Sequence, residues 1–335
     1  MEKNLVYMAK PTYGGWVTFT AHLSLKYECN LFKIGKRSEQ NKRDYGYGVG
    51  YQNLRIDELI EKPNIVITAI DKHYWKYLHL FPKGTILVIH DPTELKVSKK
   101  EENPLIKYIT QNHFKIVTIR ETVRNFIKEK YNVDCDFIKH PFYEYPKTKE
   151  RSDYHSLAIS RIDFDKHTDL ILKANKLIND EAKKIQIFGA ENRLYVHHKL
   201  KELDFEKYWK GKYPKTLPLA YNGKDLLNSC KFVVDMSIIK GDGGGTQYTF
   251  LEAIYHGCAL ILHKEWVEKG STFKKDYNCY VVGFTDDVGQ EIANIINTSD
   301  QEQGGGKNDE AMKIYRRVIR NSKEILKDHT NLQWF

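Results

Sequence analysis

Cysteine is scarce in this sequence: there are five among 335 residues, and no two stand at the spacing of a metal-binding pair. Their number is odd and they are widely separated, which argues against a disulfide framework. We interpret all five as reduced, structural residues: Cys29, Cys135, Cys230, Cys258 and Cys279.

Long apolar runs are absent as well. No stretch approaches the roughly 18 apolar residues that a transmembrane helix needs. The opening sequence, MEKNLVYMAKPTYGG, has none of the sections of a signal peptide. We therefore expect a protein without membrane insertion that stays in the cytoplasm.

The composition is that of a globular protein, with 41% hydrophobic and 29% charged residues. A chain of 335 residues exceeds the size at which one hydrophobic core stops growing, so we expect two domains. The net charge of +9 favours polyanionic partners, namely nucleic acid, an anionic membrane surface or nucleotide phosphates. Lysine-rich surfaces are common, and charge alone does not select among these partners. Nothing in the sequence indicates an oligomeric state.

Apolar strands alternate with helical stretches, at a spacing typical of parallel sheets with crossover helices. The polar, proline-bearing passage at 141–152 interrupts this pattern and indicates a linker. We predict an α/β protein of two Rossmann-like, doubly wound domains that face each other across a cleft, with ligands at the carboxyl ends of the strands. The predicted domains are 1–148, 149–307 and a final helix at 308–335 that packs back on the first domain. The predicted strands are residues 5–9, 31–34, 65–69, 85–90, 115–118, 136–138, 157–160, 185–188, 231–239, 259–263 and 280–282.

The stretch GDGGGTQYTFLEAIYHGCALIL, residues 241–262, joins a glycine loop, a helix and an apolar strand. Backbone N–H groups of Gly243–Gly245 can approach a diphosphate, and Thr246 can cap a helix whose positive end points the same way. Glu252 lies in that helix among apolar residues, where a carboxylate without a specific partner is unfavourable, so we expect it to bond ribose hydroxyls. The alternative is a simple glycine turn at a helix start, with Glu252 paired to a lysine.

Two further segments follow predicted strands of the first half. In PTYGGWVT, Gly14 and Gly15 stand where a phosphate or sugar can approach backbone amides, although a plain strand-to-helix turn has the same form. His90 and Asp91 end the apolar run TILVI, and Pro92 stops that strand. A neighbouring imidazole and carboxylate suit proton transfer or the orientation of a hydroxyl. A structural role for the strand-end histidine is the alternative.

The segment SRIDFDK, residues 160–166, follows the first strand of the second half. Arg161 and Lys166 can neutralise a leaving diphosphate there. Asp163 and Asp165 spell the DxD pattern by which some glycosyltransferases hold a divalent metal. We discount that pattern, because two adjacent cations make a metal unnecessary, and predict no metal site. Surface salt bridges are the alternative role for these charges.

A basic stretch that begins at Lys33 runs into the aromatic sequence YGYGVGY at 45–51. Cations followed by aromatic residues on glycine hinges suit phosphate contacts and base stacking. The glycine spacing does not match a dinucleotide-binding fingerprint, and a solvated loop is the alternative. The predicted nucleic-acid contacts are Lys36, Arg37, Lys42, Arg43, Tyr45 and Tyr47.

Taken in chain order, these segments resemble those of a known family. The opening YMAKPTYGGWVTF, the pair His90–Asp91, the segment Arg161–Lys166 and the helix YTFLEAIYHG are similar to retaining glycosyltransferases of the GT-B type. Within that type they resemble phage DNA α-glucosyltransferases, which modify 5-hydroxymethylcytosine. The segments span most of the chain, and the stretches between them match only in the alternation of strands and helices.

The resemblance implies that Arg161 and Lys166 hold the donor diphosphate, Glu252 the ribose, and that Gly15 approaches the transferred sugar, while the His–Asp pair faces the acceptor hydroxyl. The broader family has another glutamate eight residues before the ribose-binding one. This chain has Gly244 there, which favours the DNA-directed branch. The predicted catalytic residues are His90, Asp91, Arg161 and Lys166. The predicted donor site consists of Gly14, Gly15, Arg161, Lys166, Gly189, Gly244, Gly245, Thr246, Tyr248 and Glu252.

The resemblance thus implies transfer of a sugar, glucose by default, from a UDP-sugar to the hydroxymethyl group of a modified pyrimidine in double-stranded DNA. Transfer would proceed with retention at the anomeric carbon and without a cofactor, in the host cytoplasm for a phage-encoded enzyme. Two alternatives stay open. One is a retaining glycosyltransferase that acts on a surface glycan or a lipid-linked acceptor, and the other is a catalytically inactive nucleic-acid-binding protein.

Overall fold

The computed structural model describes residues 2–12, 14–36, 49–95, 103–213, 220–221, 224–239, 243–299 and 307–335. These residues form two units. The first holds the described residues up to Tyr145 together with Asp328–Phe335, and the second holds those from Pro146 to Lys327. The change from one unit to the other falls within the proline-bearing passage at 141–152.

Parallel strands form the sheet of the first unit. They are β1 (Asn4–Met8), β2 (Asn30–Ile34), β3 (Gln52–Leu54), β4 (Ile65–Ile70), β5 (Ile86–Ile89), β6 (Lys115–Thr118) and β7 (Asp136–Phe137). Their order across the sheet is β3-β2-β1-β4-β5-β6-β7. Strands β1 and β4 are buried along their whole length, as continuous apolar runs are when helices cover both faces of a parallel sheet. All carboxyl ends lie on one edge, where the ligand sites of such sheets occur.

Helices connect these strands: α1 (Gly15–Tyr27), α2 (Ile56–Ile60), α3 (Pro104–Thr110) and α4 (Glu121–Tyr131), with 3₁₀ helices at Lys72–Leu80 and Pro92–Leu95. Local sequence explains several of their ends. Asn103 caps α3, since its side chain accepts a hydrogen bond from the N–H of Leu105 at 3.0 Å, and Pro104 takes the first helical position. Helix α4 stops at Asn132, which adopts a left-handed φ of 53°.

The end of the chain belongs to the first unit. Lys26 donates through Nζ to the carbonyl oxygen of Thr330 at 2.5 Å. The indole Nε1 of Trp334 donates to the carbonyl oxygen of Lys139 at 3.2 Å. Residues 328–335 therefore complete the packing of a unit whose other residues lie at the start of the chain.

The first unit buries four histidines: His22, His90, His140 and His329. Burial lowers the pKa of His22 to about 3, lowers the pKa of His90 and of His329 to about 4, and holds the pKa of His140 well below its usual value. His329 Nδ1 lies 2.7 Å from the carbonyl oxygen of His140, and His22 Nδ1 accepts a hydrogen bond from the N–H of Tyr143 at 3.0 Å. These four histidines are therefore neutral at pH 7.

The strands described in the second unit are β8 (Ser156–Ile159), β9 (Ile185–Phe188), β10 (Ala220–Tyr221), β11 (Lys224–Asp225), β12 (Phe232–Asp235), β13 (Ala259–His263) and β14 (Tyr280–Val282). Five of them form a parallel sheet in the order β14-β13-β12-β8-β9, and β10 pairs with β11 in a separate antiparallel ribbon. The five strands pair in parallel throughout, so this sheet also has a single carboxyl edge.

The helices described in the second unit are α5 (Thr168–Leu177), α6 (Arg193–Tyr195), α7 (Phe205–Tyr208), α8 (Tyr248–His256), α9 (Lys264–Val267), α10 (Val288–Thr298) and α11 (Lys307–Thr330). A π-helical turn at Val196–Leu200 follows α6, and a 3₁₀ turn lies at Glu181–Lys183. Helix α8 ends at Gly257, whose left-handed φ of 83° favours glycine. In the part of the chain that the structure describes, no helix is both long and apolar enough to cross a membrane.

Helix α11 has one buried side and one charged side. Val318 is buried in the core of the second unit, and Ile314 packs against that core. On the opposite side five exposed cations follow one another at helical spacing, and we call them the cationic face of α11: Lys313, Arg316, Arg317, Arg320 and Lys323.

Each strand predicted from the sequence is present, and the final helix predicted within 308–335 extends over Lys307–Thr330. The short strands β3, β10 and β11 were not predicted. Strand β3 has the sequence QNL, and it is a strand because it pairs with β2 rather than because of its own apolar pattern.

Candidate functional site

Several loops meet at the carboxyl edge of the second sheet. The backbone N–H of Ile238 donates to the carbonyl oxygen of Asp165 at 2.9 Å. The indole Nε1 of Trp266 donates to the carbonyl oxygen of Gly245 at 3.2 Å. These bonds tie the loop between β12 and α8 to the loop that follows β8 and to helix α9, which follows β13.

Lys166 is buried at this edge, with 8% of its surface exposed. Its Nζ donates to the hydroxyl Oγ of Ser237 at 2.8 Å, and no carboxylate of the described residues forms an ion pair with it. A buried ammonium group without a counter-ion is unfavourable unless an anion binds beside it. The predicted donor residue Lys166 therefore lies where an anionic ligand would be stabilised.

Ser237 is a residue of this edge that the sequence analysis did not single out. It is fully buried, and its backbone N–H donates to Asp235 Oδ1 at 2.8 Å. Its hydroxyl accepts the hydrogen bond from Lys166, so the hydroxyl hydrogen can point to a ligand. The signal was a serine just after the apolar strand FVVD, at the strand end where such folds place polar groups.

Arg161 lies at the same edge but is exposed, and it pairs with its own neighbours. Its guanidinium is 3.3 Å from Asp163 Oδ2 and 3.2 Å from Asp165 Oδ2. The salt bridges given above as the alternative are therefore present, and diphosphate binding by Arg161 stays a prediction. Among the residues that the structure describes, no group of three or more His, Cys, Asp and Glu side chains is arranged to hold a metal ion.

The glycine loop before α8 touches the segment after α9. Gly244 has a left-handed φ of +73°, and a Cβ built on it would lie 2.4 Å from the backbone nitrogen of Gly270. A Cβ built on Gly270 would lie 2.7 Å from the carbonyl oxygen of Gly244. Because the two backbones are in contact, neither position accepts a side chain. The glutamate that the broader glycosyltransferase family carries in place of Gly244 does not fit this backbone.

Helix α8 begins behind this loop. Gln247 takes the N-cap position without a side-chain capping bond, so the predicted cap by Thr246 is wrong by one residue. Thr246 and Tyr248 are both buried beside the helix start. A helix N-terminus without a side-chain cap suits an anionic ligand, because its N–H groups and dipole favour negative charge.

Glu252 is buried in α8, with 1% of its surface exposed. Burial, and secondarily the negative charge of Asp225, raise the pKa of Glu252 to about 8. Burial also raises the pKa of Asp225 to about 6, and its Oδ2 lies 3.4 Å from Nε2 of His256. A neutral carboxyl group both donates and accepts hydrogen bonds, which suits ribose hydroxyls. The assignment of Glu252 to the ribose stays a prediction.

Gly189 has a packing reason to be glycine. A Cβ built on it would lie 1.8 Å from the carbonyl oxygen of Ser160, so the backbones that follow β8 and β9 are in close contact. This contact explains why residue 189 is glycine without reference to a ligand. The place of Gly189 in the donor site stays a prediction.

At the carboxyl edge of the first sheet, α1 begins with two glycines. Gly14 takes the N-cap position with a φ of 97° and no side-chain cap. A Cβ built on Gly14 or on Gly15 would have no described heavy atom within 4 Å. The described residues therefore do not crowd either glycine, and the approach of a phosphate or a sugar to this turn stays a prediction.

His90 directly follows β5 and is buried, with 7% of its surface exposed. Its Nε2 lies 2.7 Å from the carbonyl oxygen of Thr68. Because a carbonyl oxygen only accepts, Nε2 carries the proton and Nδ1 is an acceptor. Burial lowers the pKa of His90 to about 4. His90 is therefore a neutral imidazole suited to accept a hydrogen bond from a hydroxyl, and a weak base.

Glu94 is a second residue that the sequence analysis missed. Its Oε1 accepts hydrogen bonds from the backbone N–H groups of His90 at 2.9 Å and of Asp91 at 3.0 Å. The predicted site residue Asp91 accepts in turn from the N–H of Thr93 at 2.6 Å. Burial and the charge of Asp91 raise the pKa of Glu94 to about 8. The available signal was an acidic residue in the turn DPTEL, directly after the His–Asp pair.

Of the predicted nucleic-acid contacts, Lys36 is described and is exposed. The others lie outside the described residues: Arg37, Lys42, Arg43, Tyr45 and Tyr47.

No protein-family model and no curated protein sequence matches this chain. Solved structures match its fold. HepE from Anabaena, in complex with UDP and glucose, gives a TM-score of 0.66 at 13% identity, over 98% of this chain and 95% of that chain. An alpha-glucosyltransferase in complex with UDP and a 13-mer DNA containing an HMU base gives a TM-score of 0.66 at 14% identity, over 98% and 96%. A mutant of TarM from S. aureus, in complex with fondaparinux, alpha-GlcNAc-glycerol and UDP, gives 0.53 at 17% identity, over 79% and 54%.

The fold of this chain is therefore the GT-B type, an α/β fold with two Rossmann-like units. This confirms the fold class predicted from the sequence. Identities of 13% to 17% establish the fold, and the activity has to be argued from the residues.

Proposed function

We propose that the protein is a UDP-sugar-dependent glycosyltransferase. The observation that carries the proposal is Lys166, a buried ammonium group with a hydroxyl partner and no counter-ion among the described residues. It lies at the carboxyl edge of a sheet, in a fold shared with proteins crystallised with UDP. The diphosphate of UDP supplies a counter-ion, which the described residues do not offer to Lys166.

In the proposed reaction the bond between the anomeric carbon and the diphosphate oxygen breaks, and negative charge develops on the departing UDP. Lys166 and the N–H groups at the start of α8 stabilise that charge, and one well-placed donor is worth about 3 kcal/mol of the barrier. Glu252 binds the ribose, and Arg161 approaches the diphosphate from its exposed position. Because these cations offset the charge, we expect transfer without a divalent metal. Retention at the anomeric carbon rests on the resemblance of the helix YTFLEAIYHG.

As the acceptor we propose the hydroxymethyl group of a modified pyrimidine in double-stranded DNA, with glucose as the default sugar. The net charge of +9 supports a polyanionic acceptor. So does the cationic face of α11, whose five cations extend over about 15 Å at 1.5 Å per helical residue. One matching structure contains DNA with an HMU base. A base in a duplex has to leave the stack to reach such a site.

On the acceptor side His90 offers Nδ1 as a hydrogen-bond acceptor to the attacking hydroxyl. With a pKa lowered to about 4, His90 orients that hydroxyl and is too weak a base to hold its proton at pH 7. The departing phosphate oxygen then takes the proton as the new glycosidic bond forms.

A glycan or lipid-linked acceptor is the second candidate. It is favoured by the match to a TarM structure that contains fondaparinux and alpha-GlcNAc-glycerol. This candidate shares the fold and the donor site with the first, and differs in the acceptor.

The test is a UDP-release assay with several UDP-sugars, in which DNA containing hydroxymethylcytosine, DNA containing hydroxymethyluracil, unmodified DNA and no DNA are compared. Parallel reactions contain a metal chelator. We expect release that requires hydroxymethylated DNA and survives chelation. Slow release that is indifferent to DNA would favour the glycan or lipid acceptor, and no release with any donor would contradict the proposed activity.

A further inference from the structure

We propose that Glu94 is a positioning residue of the acceptor side, which holds the His90–Asp91 segment in the geometry that binds the acceptor hydroxyl. The inference rests on the proposed glycosyltransferase function and adds to it a residue that the sequence motifs do not single out.

The backbone of this segment is fixed by one oxygen atom. Glu94 lies in the 3₁₀ turn Pro92–Leu95, and its Oε1 accepts the N–H groups of both His90 and Asp91, at 2.9 and 3.0 Å. Strand β5 ends at Ile89, so these N–H groups have left the ladder of the sheet. The Glu94 carboxyl group therefore takes the place of a neighbouring strand as the hydrogen-bond acceptor for the backbone of His90 and Asp91.

The imidazole of His90 is held from the opposite side. Its Nε2 donates to the carbonyl oxygen of Thr68 at 2.7 Å, and the ring of Phe19 meets it edge to face with centroids 4.8 Å apart. With the backbone held by Glu94 and the ring held by Thr68, Nδ1 has one direction in which to accept. A hydrogen-bond acceptor of fixed direction is what an attacking hydroxyl needs, because misplacement by about 1 Å reduces rates of this kind 100-fold.

The charge state of Glu94 follows from its surroundings. The charge of Asp91 raises the pKa of Glu94, while the N–H groups of His90 and Asp91 and the side chain of Trp16 from α1 lower it. The positive charge of Arg120 lowers the pKa of the neighbouring His90. Burial outweighs the lowering contributions, and the pKa of Glu94 is about 8. Since Oε1 accepts both backbone bonds, the proton resides on Oε2. Asp91 then faces a neutral neighbour at pH 7, and ionisation of Glu94 above pH 8 sets two carboxylates against each other.

The experiment uses the full chain with three substitutions: Glu94→Ala, Glu94→Gln and, as a matched control, Glu121→Gln, which alters an exposed glutamate paired with Arg124 on α4. Glu94→Ala removes two hydrogen bonds and should lower kcat/KM for the acceptor by about 10- to 100-fold, with UDP affinity within about twofold of the wild type. Glu94→Gln keeps a carbonyl oxygen for both N–H groups and should stay within about threefold of the wild type at pH 7. Glu121→Gln should change neither quantity.

The pH profile separates positioning from simple stability. The wild type should lose acceptor kcat/KM as the pH rises through about 8, because Glu94 ionises, and Glu94→Gln should lack this decline. An equal decline of kcat/KM at high pH in the wild type and in Glu94→Gln would overturn the inference. So would an unchanged kcat/KM in Glu94→Ala.

Amide hydrogen exchange at His90 and Asp91 is a readout that needs no activity. Both amides should exchange at least about tenfold faster in Glu94→Ala than in the wild type, and near the wild-type rate in Glu94→Gln. If the wild type transferred no sugar at all, the proposed function would fail while this exchange pattern still supported the positioning role. Unchanged exchange in Glu94→Ala would overturn the positioning role whatever the activity. Should Glu94→Ala fail to fold, the pH profile of Glu94→Gln decides.

Discussion

Replacement of Lys166 by methionine should change stability and UDP affinity in opposite directions. The ammonium group is buried, its hydrogen-bond partner is the Ser237 hydroxyl at 2.8 Å, and no carboxylate in the described part of the chain pairs with it. Removal of a charge from water is unfavourable by several kcal/mol when no counter-ion offsets it. Methionine fills a similar space without the charge. In the absence of UDP we therefore expect the free energy of unfolding of Lys166→Met to equal or exceed that of the wild type.

The affinity for UDP should fall. A hydrogen bond between charged groups contributes about 1.5 to 3 kcal/mol, so loss of Lys166 should weaken UDP binding by about 10- to 150-fold. At a UDP concentration 100 times the wild-type Kd, the wild type gains about 2.7 kcal/mol of stability. A variant whose affinity is 100-fold weaker then has UDP at its own Kd and gains about 0.4 kcal/mol.

Titration calorimetry gives the affinity, and thermal unfolding with and without UDP gives both stability terms. The matched control is Lys173→Met, which removes an exposed lysine that pairs with Asp169 on α5 and should alter neither. Wild-type UDP affinity in Lys166→Met would refute the reasoning. A large loss of stability without UDP would instead identify Lys166 as a structural residue.

Three further predictions concern the ribose, the acceptor and the response to acid. Glu252→Ala should weaken UDP binding about tenfold through the loss of ribose hydrogen bonds, and an unaltered affinity in calorimetry would place the ribose elsewhere. Joint replacement of Arg316, Arg317 and Arg320 by alanine should reduce the slope of log affinity for DNA against log salt concentration by about 2 to 3. An unchanged slope would mean that the cationic face of α11 is a solvated surface that does not contact DNA. The first unit should lose stability as the pH falls from about 6.5 towards 4, because its four buried histidines have a pKa below the unfolded value and the unfolded chain binds more protons. The raised pKa of Glu94 opposes one of these protons, so the net loss of stability is smaller than four histidines alone would give. Urea unfolding midpoints that did not fall with the pH would contradict the prediction.

The sequence predicts the sheets well where the strand itself carries the signal. Strands β6, β9, β13 and β14 begin and end at the predicted residues, because each is a short run centred on apolar residues between polar or glycine-containing segments. Strand β3 carries no such pattern, and its pairing with β2 depends on residues distant in the chain. Local pattern thus specifies the buried strands, and tertiary contact specifies the short ones.

The candidate site shows the same difference between what local sequence specifies and what tertiary contact specifies. A cation after β8 was predictable, but the sequence could not show that Lys166 turns inward to a buried serine while Arg161 turns outward to its own aspartates. Glu94 was missed because its side chain folds back onto N–H groups three and four residues earlier, and that contact exists only once the 3₁₀ turn has formed. Residue type is readable from sequence, whereas the direction of a side chain is set by its neighbours.

The first unit is assembled from the two ends of the chain, and this has a consequence for biosynthesis. A ribosome releases residues up to Tyr145 long before residues 328–335, which supply the Thr330 carbonyl for Lys26 and the Trp334 side chain. The N-terminal segment therefore lacks these contacts until all of the second unit has been translated. Domains that are continuous in sequence fold in order of synthesis. Of the two described units, the second has all of its described residues translated first, and the first is completed after it.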